Sequence, residues 1–164
     1  YPERGIGKLI SNGQVKTLIA SHVGLNPTVA KLMNAGALEL ILVPQGTLAE
    51  QIRAKGAGLG GVLTPTGLGT LVQEGKQVIE VDGKKYILEK PMKADLAIVE
   101  ATYADTFGNG VNIGTTRNFN PLMALAADVV VMGTYEVREP GKVDPSSVTI
   151  HGVLVDYLVE IVEA

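Results

Sequence analysis

The sequence predicts an α/β fold: an open, mostly parallel sheet flanked by helices with a β-hairpin excursion, in a single domain over residues 1–164. Three observations carry it. Short, almost continuously apolar runs such as Leu38 to Val43 read as strands buried on both faces. Helix-start signals, Asn26-Pro27 and Asn120-Pro121, alternate with such runs. The Asp82-Gly83 pair, set between two strand-like segments, is a strong signal for a tight hairpin.

In chain order, Val15 to Ala20 is expected as the first strand, bounded by the Asn12-Gly13 turn signal and the polar Ser21-His22. Asn26 caps the next helix, Pro27 fits its first position because its missing N–H has no partner there, and Gly36 suits the left-handed residue that ends it. Leu38 to Val43 forms a buried strand ending at Pro44. Thr47-Leu48-Ala49-Glu50 has capping-box spacing, which predicts a helix from Leu48 to Lys55. The glycine-rich stretch that follows, from Gly56 to Gly69 with Thr64-Pro65-Thr66 inside it, is expected to be one long loop. Val78 to Val81 and Lys84 to Leu88 flank the hairpin turn. Leu96 to Val99, Val111 to Ile113, Val129 to Met132 and Val153 to Val159 complete the strands, and Asn120 caps a helix running to Ala126.

Composition narrows the function. Hydrophobic residues make up 46% and charged residues 19%, enough apolar surface for a packed core. Fourteen basic against seventeen acidic side chains leave a net charge of −3, so no cationic field exists to hold a phosphate backbone, and nucleic acid is not expected as a partner. The lack of cysteine excludes a disulfide framework, a thiolate metal site and a cysteine nucleophile together. The most apolar stretches, Leu38 to Pro44 and Leu122 to Met132, fall well short of the roughly 20 residues a membrane span needs, so no membrane partner is expected either. The lack of cysteine also suits a reducing compartment, and a cytoplasmic location is expected; the opening Tyr1-Pro2-Glu3-Arg4-Gly5 lacks an initiator Met and has neither the apolar run of a signal peptide nor the basic amphipathic character of a transit peptide.

Few residues offer chemistry. His22 and His151 are the available imidazoles, and no Gly-x-Ser-x-Gly elbow occurs, so a serine hydrolase has little support. His22 lies just past a strand end, as a ligand or as a partly exposed structural histidine. No His-x-x-x-His or closely spaced carboxylate loop suggests a metal. Gly56-Ala57-Gly58-Leu59-Gly60-Gly61 matches the Gly-x-Gly-x-x-Gly string, but a helix precedes it where a dinucleotide site needs a strand. These glycines either let backbone N–H groups approach a bulky ligand or form a plain surface loop. Gln45 stands where a buried strand ends and a helix begins, the usual ligand side of an open α/β sheet. Its neutral amide donates hydrogen bonds without exchanging protons, which suits an oxyanion; the alternative is a glutamine that caps the turn. Glu50 and Arg53, three apart, pair on the helix surface or brace the loop from inside.

Val43-Pro44-Gln45-Gly46-Thr47-Leu48-Ala49-Glu50-Gln51-Ile52-Arg53, then Gly56-Ala57-Gly58, Thr64-Pro65-Thr66-Gly67-Leu68-Gly69-Thr70 and Arg117-Asn118-Phe119-Asn120-Pro121, resembles the alpha subunit of class I coenzyme A transferases. The opening Gly5-Ile6-Gly7-Lys8-Leu9-Ile10-Ser11-Asn12 and Ile19-Ala20-Ser21 is similar to the butyrate–acetoacetate and acetate–acetoacetate members. The resemblance runs over nearly the whole chain. It implies the CoA-transferase and isomerase-like α/β fold, here without the first strand and the Gly-Gly-Phe loop that open family alpha chains and contact coenzyme A. It also implies a two-subunit enzyme that moves coenzyme A from an acyl-CoA to a short-chain carboxylic acid, with the thioester as substrate and no separate cofactor. The attacking glutamate belongs to a beta subunit, and no carboxylate here matches its motif. Gln45 falls on the oxyanion donor, and the loop holding Gly58, Gly60 and Gly61 on the coenzyme A side. A heterotetramer is implied. A non-enzymatic domain of the related fold, sensing sugar phosphate or acyl-CoA, is the rival reading. Thr149-Ile150-His151-Gly152 departs from the Thr-Pro-Gly common in relatives.

Overall fold

The computed structural model describes Pro2 and residues 4–162; Tyr1 and Glu3, used above to judge the chain's opening, lie outside the described residues, as do Glu163 and Ala164. Two compact units emerge, one built from the chain up to Leu48 together with Thr64–Ile87, the other from Ala49–Leu63 and Leu88 onward.

In the first unit, α1 (Ile6–Ser11) leads to β1 (Thr17–Ala20), α2 (Pro27–Asn34) and β2 (Glu39–Leu42). Helix α1 has no counterpart among the elements expected from sequence. β1 and β2 pair in parallel, Leu18 opposite Leu40 and Ile19 opposite Ile41. Because side chains alternate across a strand, Leu18 and Leu40 pack with Ile10, Val29 and Leu38 beneath the helices, whereas Ile19 and Ile41 point to the other face and are 42% and 41% exposed. The expectation that β2 is buried on both faces is therefore corrected: within this unit one face is covered. α2 starts as read, with the Asn26 side chain accepting from the Thr28 N–H at 3.1 Å and Pro27 in the first turn. It ends at Gly36, whose φ is 67°.

The hairpin is also as expected. β4 (Val78–Val81) runs antiparallel to β5 (Lys84–Glu89), and Asp82 and Gly83 take φ of 50° and 74°, the paired left-handed residues of a type I′ turn. The glycine-rich stretch is not one loop, since β3 (Val62–Thr64) interrupts it, and a 3-10 turn at Leu71–Gln73 follows it. Thr70 caps that turn by accepting from the Val72 N–H.

The second unit centres on a parallel sheet, β6 (Ala94–Ala101), β9 (Ala127–Thr134) and β11 (Tyr157–Glu160), with β9 in the middle. Its inner face carries Ala97, Val99, Ala101, Val130 and Met132, which pack with Ala104, Ala124 and Ile150. β6 is accordingly buried on alternate residues, not throughout. A smaller sheet joins β10 (Val137–Arg138), β7 (Tyr103–Asp105) and β8 (Gly110–Val111); of these only β8 is expected from sequence, and it begins one residue earlier than the expected Val111 to Ile113. α4 (Asn120–Leu125) forms where read, but Asn120 is not its cap. Its amide bridges instead, donating to the Thr116 carbonyl at 2.8 Å and accepting from the Glu100 N–H at 3.1 Å, so that it ties the turn before α4 to β6. Val153 to Val159 is likewise divided, into a 3-10 turn at Gly152–Leu154 and the strand β11. Where Thr149-Ile150-His151-Gly152 departs from the family pattern, Thr149 accepts from the Asn112 N–H and Asn109 accepts from the Gly152 N–H, which fixes the turn from two sides. The α/β class stands: parallel strands, interleaved helices and the expected antiparallel hairpin, with a second antiparallel pair where β7 meets β8.

Candidate active site

β2 delivers the chain to Pro44, and the Pro44 carbonyl accepts from the Leu48 N–H at 2.9 Å. Pro44 thus begins helix α3 (Gln45–Gly56), one turn earlier than the expected start at Leu48. The capping box does not form, because Thr47 is already helical and buried, and Glu50 turns to Arg53 instead. The early start matters for Gln45. It is the first helical residue, is exposed, and its amide has no hydrogen-bond partner among the described residues. The N–H groups of Gln45, Gly46 and Thr47 have no carbonyl to bond within the helix, and no acidic side chain stands in the first turn. An uncompensated helix N-terminus carrying a free amide favours negative charge beside it.

The glycine loop resolves into separate roles. The Leu59 N–H reaches the Ala54 carbonyl at 2.8 Å and the Gly58 N–H reaches Lys55 at 3.1 Å, the paired bonds of a Schellman stop. Gly58, at φ 68°, is the left-handed residue that the stop requires. Gly61 meets another constraint: a Cβ there would sit 2.8 Å from the Glu89 carbonyl and 2.9 Å from the Leu88 side chain. A Cβ at Gly58 or at Gly60 would meet nothing within 4 Å, but Gly60 has no left-handed φ, so it alone of the three has neither a backbone nor a steric need for glycine. Gly58→Ala is expected to cost about 1–2 kcal/mol in stability, the ordinary price of a left-handed L-residue. Gly60→Ala should stay within about 0.5 kcal/mol. Urea unfolding of the two variants checks the distinction.

Two residues that the sequence reading passed over lie beside this loop. Gln51 on α3 donates its amide N–H to the Glu89 carboxylate at 2.9 Å, and the two are 8% and 2% exposed. The Gln51 amide oxygen is buried and has no hydrogen-bond partner among the described residues, a condition that costs about 1–3 kcal/mol. Both positions were detectable from spacing. Gln51 lies in the stripe of Leu48 and Ile52, and Glu89 shares the strand parity of buried Ile87.

The remaining candidates contribute less. His22 is exposed and borders a cavity of about 210 Å³ lined by Ile6, Ile10, Leu18 and Val29, with Arg4 and Asn26 also at its wall. Among the described residues no group of three potential ligands is placed to hold a metal. Glu50 and Arg53 pair on the surface at 2.7 Å. The hydrogen bond from Arg53, reinforced by its charge, holds the Glu50 carboxyl below its ordinary value and leaves it a poor proton donor near neutral pH. No helix of the described residues is long and apolar enough to cross a membrane.

The coenzyme A transferase family matches residues 2–161. The chain is 49% identical over 97% of its length to the acetate CoA-transferase subunit alpha of Escherichia coli strain K12, and covers 72% of it. It is 49% identical over 98% of its length to the acetoacetyl-CoA:acetate/butyrate CoA transferase alpha subunit of Clostridium acetobutylicum, and covers 73% of that chain. Among solved structures, a CoA thioester complex of an acyl-CoA transferase from Escherichia coli O157:H7 superposes with a TM-score of 0.84 at 27% identity, over 97% of this chain and 35% of that one.

Proposed function

Because the chain belongs to the coenzyme A transferase family, we propose that it is the alpha subunit of an enzyme that moves coenzyme A between acetoacetyl-CoA and acetate or butyrate. The observation that carries the reading is the free amide of Gln45 at an uncompensated helix N-terminus, in a chain 49% identical to subunits so named.

The chemistry needs two parts. A glutamate carboxylate of the beta subunit attacks the thioester carbonyl, whose oxygen takes up the negative charge. Gln45 donates an N–H to that oxygen, and the α3 N-terminus adds its positive end. Collapse breaks the C–S bond and expels the coenzyme A thiolate, leaving an acyl-glutamyl anhydride. The thiolate then attacks the glutamyl carbonyl, releases the first carboxylic acid and forms a glutamyl-CoA thioester. The acceptor acid reverses these steps. No proton passes through Gln45 in either direction, in keeping with an amide.

The loop holding Gly58, Gly60 and Gly61 is proposed as the coenzyme A side of the site, with Gly60 as the point of close approach. Coenzyme A enters as the thioester substrate, and the scheme requires no other cofactor. A paired alpha–beta heterotetramer in the cytoplasm completes the reading. The rival sensor role is not favoured, because the relatives are named as transferase subunits.

The test is reconstitution. The full chain and its cognate beta subunit are mixed, and loss of acetoacetyl-CoA in the presence of acetate or butyrate is followed. Transfer is expected from the mixture and from neither subunit alone. A folded mixture without transfer removes the reading.

A further inference from the structure

We propose that the buried Gln51–Glu89 pair is the positioning element of the glycine loop, and that it acts on affinity for the coenzyme A thioester. The inference rests on the proposed function above, in which that loop faces coenzyme A.

The pair joins both ends of the loop. Gln51 lies on α3, and the loop leaves that helix through the Schellman bond from Leu59 to Ala54. Glu89 closes β5, and its carbonyl is the surface on which Gly61 rests, with only 2.8 Å to a would-be Cβ. The 2.9 Å bond from the Gln51 amide to the Glu89 carboxylate therefore links the helix from which the loop departs to the strand on which it lands. A second bond, from the Met92 N–H to the Gln51 carbonyl at 3.0 Å, fastens the segment after Glu89 to the same turn of α3. Between these anchors, the backbone from Ala57 to Gly60 is exposed.

Stability alone does not account for the pair. The amide oxygen of Gln51 is buried with no partner among the described residues, and well-packed apolar side chains at both positions would be cheaper than this polar pair. What the polar pair adds is direction: a hydrogen bond fixes the helix–strand distance and angle more narrowly than apolar contact does. The Gly58 and Leu59 N–H groups are spent in the Schellman stop, so what the loop offers a large substrate is its exposed surface around Gly60, and it benefits from being set before binding because the ordering cost is then not charged to affinity.

The test uses the reconstituted enzyme. Gln51→Met, unbranched and of similar length, deletes the donor. It is expected to raise KM for acetoacetyl-CoA about tenfold while kcat stays within about threefold and KM for acetate is unmoved, the pattern of lost uniform binding. Amide exchange across residues 57–61 of the unliganded protein should accelerate in the same variant, a readout independent of turnover. Glu89→Gln keeps an acceptor oxygen for the Gln51 amide and should leave KM within about threefold of the parent. If Gln51→Met does not accumulate folded, Gln51→Asn replaces it, since its amide is one methylene too short to reach Glu89. An unchanged KM for the thioester in a folded variant overturns the proposal, as does an equal rise for both substrates. A wild-type enzyme without transfer removes the proposed function and this inference with it, whereas an active wild type with an unmoved KM overturns this inference alone.

Discussion

Replacing Gln45 by Ala is expected to lower kcat by about 10²–10³, or roughly 2.7–4 kcal/mol of barrier, the effect of deleting one donor to an oxyanion. Stability should hardly change. Gln45 is exposed, its amide bonds nothing among the described residues, and alanine is a better helix former than glutamine. The proposed role needs this combination of a large catalytic loss with an unchanged melting temperature. A turn-capping glutamine would show the reverse pattern. KM for acetoacetyl-CoA should move little, because the donor gains most of its value after the carbonyl oxygen becomes charged. Single-turnover formation of the glutamyl-CoA thioester, followed by intact mass of the beta subunit, isolates the affected step. A fall of less than about threefold, near 0.6 kcal/mol, would rule out Gln45 as an oxyanion donor.

The largest stability effect is expected at Met132. It lies in the central strand β9 at 0% exposure, and its neighbours on the inner face include Ala97, Ala101, Ala104 and Ala124. Met132→Ala is expected to destabilise the protein by about 2–5 kcal/mol, near the upper end because the methyl groups of the neighbouring alanines cannot reach into the void. For a chain of this size that is a fall of about 4–20 °C in melting temperature. Met132→Leu, nearly equal in volume, should cost less than about 1.5 kcal/mol. Thermal unfolding of the three proteins tests the pair of expectations together. A loss below about 1 kcal/mol in the alanine variant would mean that the sheet collapses onto the gap.

The two predictions separate the demands on the chain. Met132 acts through packing density, and its loss should remove fold and activity together. Gln45 acts through one directed donor, and its loss should remove activity alone. Gln51→Met should fall between, with affinity changed and the chemical step retained.

Features whose energy lies within a few residues were legible before any coordinates. Asn26-Pro27 starts α2 because a cap bond spans two residues, and Asp82-Gly83 makes the hairpin because the turn needs two left-handed residues in succession. The motif around Gln45 drew attention to the right turn, but the start of α3 was misread by one turn. Thr47 and Glu50 satisfy the local capping pattern, yet the chain arriving from β2 supplies the Pro44 carbonyl first, and a buried Thr47 cannot also serve as a cap. Asn120 was misread for a related reason, since its amide finds a better pair of partners in Thr116 and in Glu100 on β6 than in its own helix.

By itself, then, the sequence determined the α/β class, the order of its main strands and helices, and an amide at the head of α3. Only the tertiary structure decided which strands share a sheet, why Gly61 has no side chain, and that Gln51 meets Glu89 across 38 positions of chain. The division is physical: local signals report bonds closed within one or two turns of backbone, whereas burial and long-range pairing depend on which surfaces meet once the whole chain has packed.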